Sequence, residues 1–98
     1  MPYLIYALDF EDKHDERESL REAHRNHLRI VGPQLLASGA LLAEDKQTVI
    51  GGISLLDTES RDEAQAFADT DPYSIAGIRR ETHVIYWRKR WWDGSFKP

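Results

Sequence analysis

Apolar positions change their spacing several times along the chain, and each change marks a new element. From Tyr3 to Leu8 both odd positions (Tyr3, Ile5, Ala7) and even positions (Leu4, Tyr6, Leu8) are apolar, which predicts a strand buried on both faces. After a polar loop the apolar stripe recurs every three or four residues at Leu20, His24, His27, Leu28, Val31 and Leu35, which predicts an amphipathic helix over about 16–31. Gly32 and Pro33 interrupt it. Proline breaks a helix interior but suits a first turn, so a kink or a short second helical piece over 33–38 is expected, stopped by Gly39.

Two strands are then expected, over 40–43 and 48–57, around the polar turn Glu44–Gln47. The pair Gly51-Gly52 inside the second suggests a bulge or a close backbone approach. A helix over 60–69 opens on Ser60 with Glu63 three residues on, the capping-box spacing. Asp71 before Pro72 is the cap and first position of another short helix, which Gly77 would end. A last strand over 81–88 is again apolar on both faces, and a tail over about 89–98 is expected to be extended or irregular. The order β-α-β-β-α-β predicts an α+β fold with the ferredoxin-like split unit. Helices on one side of the sheet leave an apolar second face, which predicts sheet-to-sheet packing into a homodimer, a dimeric α+β barrel.

Composition narrows the function classes. The 98 residues are read as one domain, because two cores would each be too small. No apolar run approaches the ~20 residues of a membrane span, and the first residues lack the charge pattern of a signal peptide. Cysteine is absent, which fits a reducing cytoplasm. The net charge of -4 argues against nucleic acid as partner. The basic, aromatic end Arg88–Trp92 could grip nucleic acid or lipid, but in an acidic chain it reads better as a tail packing on the partner subunit.

Histidines and carboxylates carry the candidate chemistry. His24 lies on the apolar stripe and is either a core histidine bonded to a backbone carbonyl or a general acid or base. Asp71 is a helix cap, and a carboxylate there could also orient or charge His24. Asp69 reads as a solvated helix end, His14 as a solvated loop residue, and His27 as a groove or interface residue rather than a metal ligand. His83 shares a face with Ile85 and Trp87, so pocket and interface both remain open for it. No metal site and no cofactor motif is expected.

The stretches YLIYALDF, REAHRNHL, LLASGALL, GGISLLD and AQAFADTDPYSIAGI, in this order, resemble the YCII-related (YciI-like) family from about Tyr3 to Trp87. The most specific parts are RxAH at Arg21–His24 and ADxDPY at Ala68–Tyr73. The resemblance implies a ferredoxin-like domain that dimerises through its sheet, and His24 with Asp71 as the active-site pair. Asp9 matches a further acidic position of the family. Asp9, with Arg21 and Tyr73 from inside the two motifs, forms the substrate-binding set. The expected activity is cofactor-independent elimination or isomerisation of a small aromatic or phenolic molecule. The alternative is a dimer that binds a small ligand without turning it over.

Overall fold

The computed structural model describes residues 2–98. Strand β1 (Tyr3–Asp9) is followed by helices α1 (His14–Ser19) and α2 (Arg21–Val31), then strands β2 (Leu35–Leu42) and β3 (Val49–Leu56). Helix α3 (Arg61–Asp69), the short helix α4 (Pro72–Ile75) and strand β4 (Arg79–Tyr86) complete the main body. The four strands form one antiparallel sheet in the order β2-β3-β1-β4. This α+β arrangement is consistent with the ferredoxin-like split unit.

The odd positions of β1 face the helices. Tyr3, Ile5 and Ala7 are buried, and they share their face with Leu56 of β3 and Val84 of β4. Ala64, Phe67 and Ala68 of α3 close over them, with Leu28 and Val31 of α2 packed at the side. The even positions line the other face, where Leu4 sits between Leu55 and Ile85, and Tyr6 between Ile53 and His83. Among the described residues no helix is long and apolar enough to cross a membrane.

Several boundaries differ from the sequence expectation. The single helix over 16–31 is two helices, starting at His14 and broken at Leu20. Ser19 contributes to the break, because its hydroxyl donates to the Glu16 carbonyl and competes for the helix ladder. His14 is thus in a first turn rather than a loop, and is exposed. The expected helical piece over 33–38 is only a 3-10 turn, Gly32–Gln34. From Leu35 onward the chain pairs with β3, Leu35 opposite Leu56 and Ser38 opposite Ser54, so ladder pairing overrides helix propensity. Gly39 is therefore a strand residue opposite Ile53, not a helix stop. The last strand begins at Arg79, two residues earlier than expected.

The tail is not irregular throughout. Trp91–Trp92 (β5) and Ser95–Phe96 (β6) form a small hairpin, in which Asp93 and Gly94 take positive φ values of 52° and 77°. Asp-Gly is a favoured pair for such a turn. The glycine pair of β3 splits in its roles. A Cβ on Gly51 would stand 2.0 Å from the Ala7 carbonyl oxygen, so this is a true close approach, whereas Gly52 has more room.

Candidate functional site

The site is built around one carboxylate. Asp71 precedes Pro72 with an extended backbone, φ -62° and ψ 130°, and its Oδ1 accepts from the Tyr73 N–H at 2.9 Å. This is the N-cap arrangement that the Asp-Pro step predicts. The same Oδ1 lies 3.0 Å from His24 Nδ1 on α2, and Oδ2 accepts from Arg79 Nη2 at 3.0 Å. Arg79 is steadied in turn by Ser74, whose Oγ accepts from Nη1 at 3.0 Å. Asp71 is only 2% exposed, yet it is fully partnered.

Burial pushes the Asp71 carboxyl upward. The bond to His24, the Arg79 guanidinium and the Tyr73 N–H outweigh it and hold the group below its usual value. Asp71 is therefore ionised at neutral pH, and an ionised carboxylate only accepts hydrogen bonds. His24 must then carry its proton on Nδ1. In the neutral ring the lone pair sits on Nε2, which no described residue engages, on a side chain that lines a cleft.

That cleft has a volume of about 360 Å³, within the range of small-ligand sites. It lies between α2 and the β2-β3 half of the sheet. His24, Tyr73, Arg17 and Arg79 wall it, and Ser38, Gly52 and Ser54 form its floor. The two serine hydroxyls are 2.9 Å apart. The Tyr73 ring stacks on His24 with centroids 4.2 Å apart and planes 19° apart. Burial raises the Tyr73 hydroxyl above its ordinary value, so it remains protonated.

Arg17 joins this cleft to Asp9. Its guanidinium carbon is 4.2 Å from the centre of the Tyr73 ring, a cation-π distance. Its Nη1 donates to Asp9 Oδ2 at 2.5 Å, with side-chain exposures of 12% and 7%. Asp9 Oδ1 is buried with no hydrogen-bond partner. Asp9 itself does not line the His24 cleft. It backs Arg17 and borders a separate, larger concavity with Phe10, Asp12 and His14.

The structure thus brings His24, Asp71 and Tyr73 together, puts Arg21 at the exposed rim of the same cleft, and keeps Asp9 one layer behind. Sequence reasoning missed Arg17, Arg79 and the serine floor. Arg17 had a signal, since it stands four residues before Arg21 and seven before His24, close to one helical face. Arg79 and the serines had none, because β-sheet pairing places them.

The remaining candidates separate cleanly. His27 turns toward α3, its Nε2 lying 2.9 Å from the Phe67 carbonyl oxygen. His83 lies on the outer sheet face beside Tyr6, ring centroids 5.5 Å apart, and so is remote from the cleft. Asp69 accepts from Gln65 Nε2 at the exposed end of α3. Among the described residues no group of three or more His, Cys, Asp or Glu side chains is arranged to hold a metal ion.

Comparison with known proteins identifies relatives of the chain. The YCII-related domain matches residues 1–88. Protein YciI of Escherichia coli O6:H1 is 34% identical over 96 residues, spanning 91% of this chain and 98% of that protein. Protein YciI of Shigella flexneri matches to the same extent, 34% over 96 residues. Among solved structures, the 5-chloro-2-hydroxyhydroquinone dehydrochlorinase of Burkholderia phenoliruptrix AC1100, in complex with 2,5-dihydroxybenzoquinone, superimposes with a TM-score of 0.81. It is 27% identical, and the match covers 90% of this chain and 94% of that one. From the domain match and the curated relatives together, the chain belongs to the YCII-related family.

Proposed function

We propose that this protein is a small enzyme that eliminates or shifts a proton on an oxygenated ring, using His24 as general base and acid. The observation that carries the reading is the 3.0 Å contact between His24 Nδ1 and the buried Asp71 carboxylate. It supports a fixed tautomer whose Nε2 can take a proton from a substrate in the cleft. Asp71 stabilises the imidazolium that forms. In an elimination, the electron pair of the broken bond to hydrogen moves into the ring, the leaving group departs with its own pair, and the proton stays on Nε2 until returned to water. Tyr73 and the rim residue Arg21 would contact the substrate, and Asp9 would act through Arg17. The dehydrochlorinase named for the structural neighbour is a reaction of this class.

The reading includes a homodimer through the outer sheet face. Leu4, Ile53, Leu55 and Trp87 line an apolar groove of about 480 Å³ there, and Ile85 is 49% exposed. Apolar surface of this kind is characteristic of subunit contacts.

The test is release of chloride from 5-chloro-2-hydroxyhydroquinone, followed with a chloride electrode. Release should exceed the buffer rate and fall by about 100-fold or more in His24→Ala, the scale of general base catalysis. Release equal to buffer, or unchanged in His24→Ala, would overturn the proposal for this substrate. Ligand binding without turnover, at full affinity in His24→Ala, would favour the non-catalytic binding reading instead.

A further inference from the structure

The groups that face the cleft share a pattern. Arg17 presents its guanidinium to the cleft and has Asp9 behind it, outside the lining. Arg79 presents its guanidinium and has Asp71 behind it. His24 presents its ring and has the same Asp71 behind it. At the rim, Arg25 lines the cleft while its partner Glu22 does not, and Arg21 adds a fourth guanidinium. Glu18 is the one acidic residue in the lining. Each buried pair is therefore a dipole with its positive end toward a ligand, fixed before any ligand arrives. This orientation matters because the chain as a whole carries a net charge of -4.

The floor adds shape. Gly52 has no side chain, and a Cβ placed there would stand 4.0 Å from Arg17 Nη2. Arg17 Nη2 has only a long 3.5 Å approach to the Gly51 carbonyl, so its donors are not saturated. Ser38 and Ser54 provide hydroxyls on the same floor. Ile5, Leu28 and Phe67 supply apolar contact. Small residues below and guanidinium groups above favour a flat ligand with several oxygens.

We infer that the cleft selects the anionic form of an oxygen-substituted planar ring, an enolate or phenolate, with Arg17 as the specificity-determining residue. This rests on the cleft being the substrate site proposed above. Arg17 stabilises the ring oxygen nearest Gly52, and the serine hydroxyls donate to a neighbouring oxygen. The neutral form of the same ring leaves these donors without a charged acceptor and binds more weakly.

The probe pair is 2,5-dihydroxybenzoquinone, whose enolic hydroxyls are vinylogous acids and ionised at neutral pH, and 2,5-dimethoxybenzoquinone, its uncharged analogue. Affinities are measured by calorimetry with the full-length protein. The ionised ring should bind at least about tenfold tighter, the effect of one charge-assisted hydrogen bond. The gap should narrow in ~1 M salt, where screening reaches within a few Å. Arg17→Met should close most of the gap. Because that variant strands the buried Asp9 carboxylate, the double variant Asp9→Asn with Arg17→Met is measured beside it. If neither folds by circular dichroism, the exposed pair Arg21→Gln with Arg25→Gln decides, with an expected loss of about threefold or more in preference. Equal affinity for the two rings, no binding of the ionised ring, or a preference untouched by these variants would overturn the inference. Wild type and His24→Ala together separate the two proposals. Charge preference in both, with no turnover in the wild type, sustains the anion cleft alone, whereas wild-type turnover that is lost in His24→Ala, with no charge preference in either, sustains the enzyme and removes the anion cleft.

Discussion

Replacing Asp71 tests the site and the fold together, because one side chain serves both. In Asp71→Ala the Tyr73 N–H loses its cap, worth about 1 kcal/mol. Arg79, 10% exposed, loses its carboxylate, and breaking a buried pair costs about 3–5 kcal/mol. The terms overlap, since one oxygen serves both Tyr73 and His24, so a total near 3–5 kcal/mol is expected rather than their sum. For a chain of this length that lowers Tm by more than about 10 °C. Asp71→Asn keeps the volume and an equally good cap but removes the charge. Its cost is about 1.5–3 kcal/mol, because an amide must turn its NH2 either toward Arg79 or toward Tyr73 and His24. The pH dependence has a definite sign. The folded carboxyl is lower than the unfolded value of about 3.9, so its stabilisation is complete above that value and is lost as pH falls through the folded one. Urea melts of wild type and Asp71→Asn should therefore differ at neutral pH and down to about 5, and the gap should close as the pH falls below about 4. Long-range proton–nitrogen NMR should find the neutral His24 ring protonated at Nδ1 in the wild type. A stability gap that fails to close in acid, or an Nε2–H ring in the wild type, would refute the reasoning.

Two further outcomes follow from the sheet. Gly51→Ala places a methyl 2.0 Å from the Ala7 carbonyl of a central strand and should cost about 3 kcal/mol in chemical denaturation, while Gly39→Ala, with nothing within 4 Å, should stay within about 0.5 kcal/mol; equal costs would contradict the close approach. For the outer face, light scattering at micromolar concentration should give a dimer for the wild type and a monomer for Ile85→Lys, a change that exposed Ile85 tolerates within one subunit; a monomeric wild type would contradict the docking face.

What was legible in the chain depended on how local each signal was. The order of strands and helices along the chain followed from changes in apolar spacing, and the Asp71-Pro72 and Ser60-Glu63 starts followed from capping chemistry that needs only residues near in sequence. Ser60 does accept from the Glu63 N–H, but the Glu63 carboxylate turns to Thr58 instead of completing the box. The break at Leu20 had no glycine or proline to announce it. Leu35–Ser38 looked helical because leucine and alanine favour helices, while the decision rested with β3, more than a dozen residues away. His24 and Asp71 are 47 positions apart, and only the family likeness linked them before coordinates did. Arg79 was invisible as a partner because the distance that matters, 3.0 Å to Asp71, is set by where β4 leaves the turn after Gly77.

Stability alone does not account for the charged groups around this cleft. A buried ion pair roughly breaks even against apolar residues of the same size, so a chain selected only for stability has little reason to assemble them. Here Arg17–Asp9 and Arg79–Asp71 are both largely buried, and both open onto the same cleft as His24. One of them even leaves a carboxylate oxygen, Asp9 Oδ1, buried without a partner, which is a cost the fold would shed if packing were the only demand. Helix α4 points the same way. Four residues are too few to hold a helix by themselves, so Asp71 and the groups around it must fix that turn. The turn in turn aims the Asp71 carboxylate at His24 and stacks Tyr73 on its ring. A structural element that short, capped by the residue that also orients a histidine, fits the proposed site, in which a charge is held in place for a ligand.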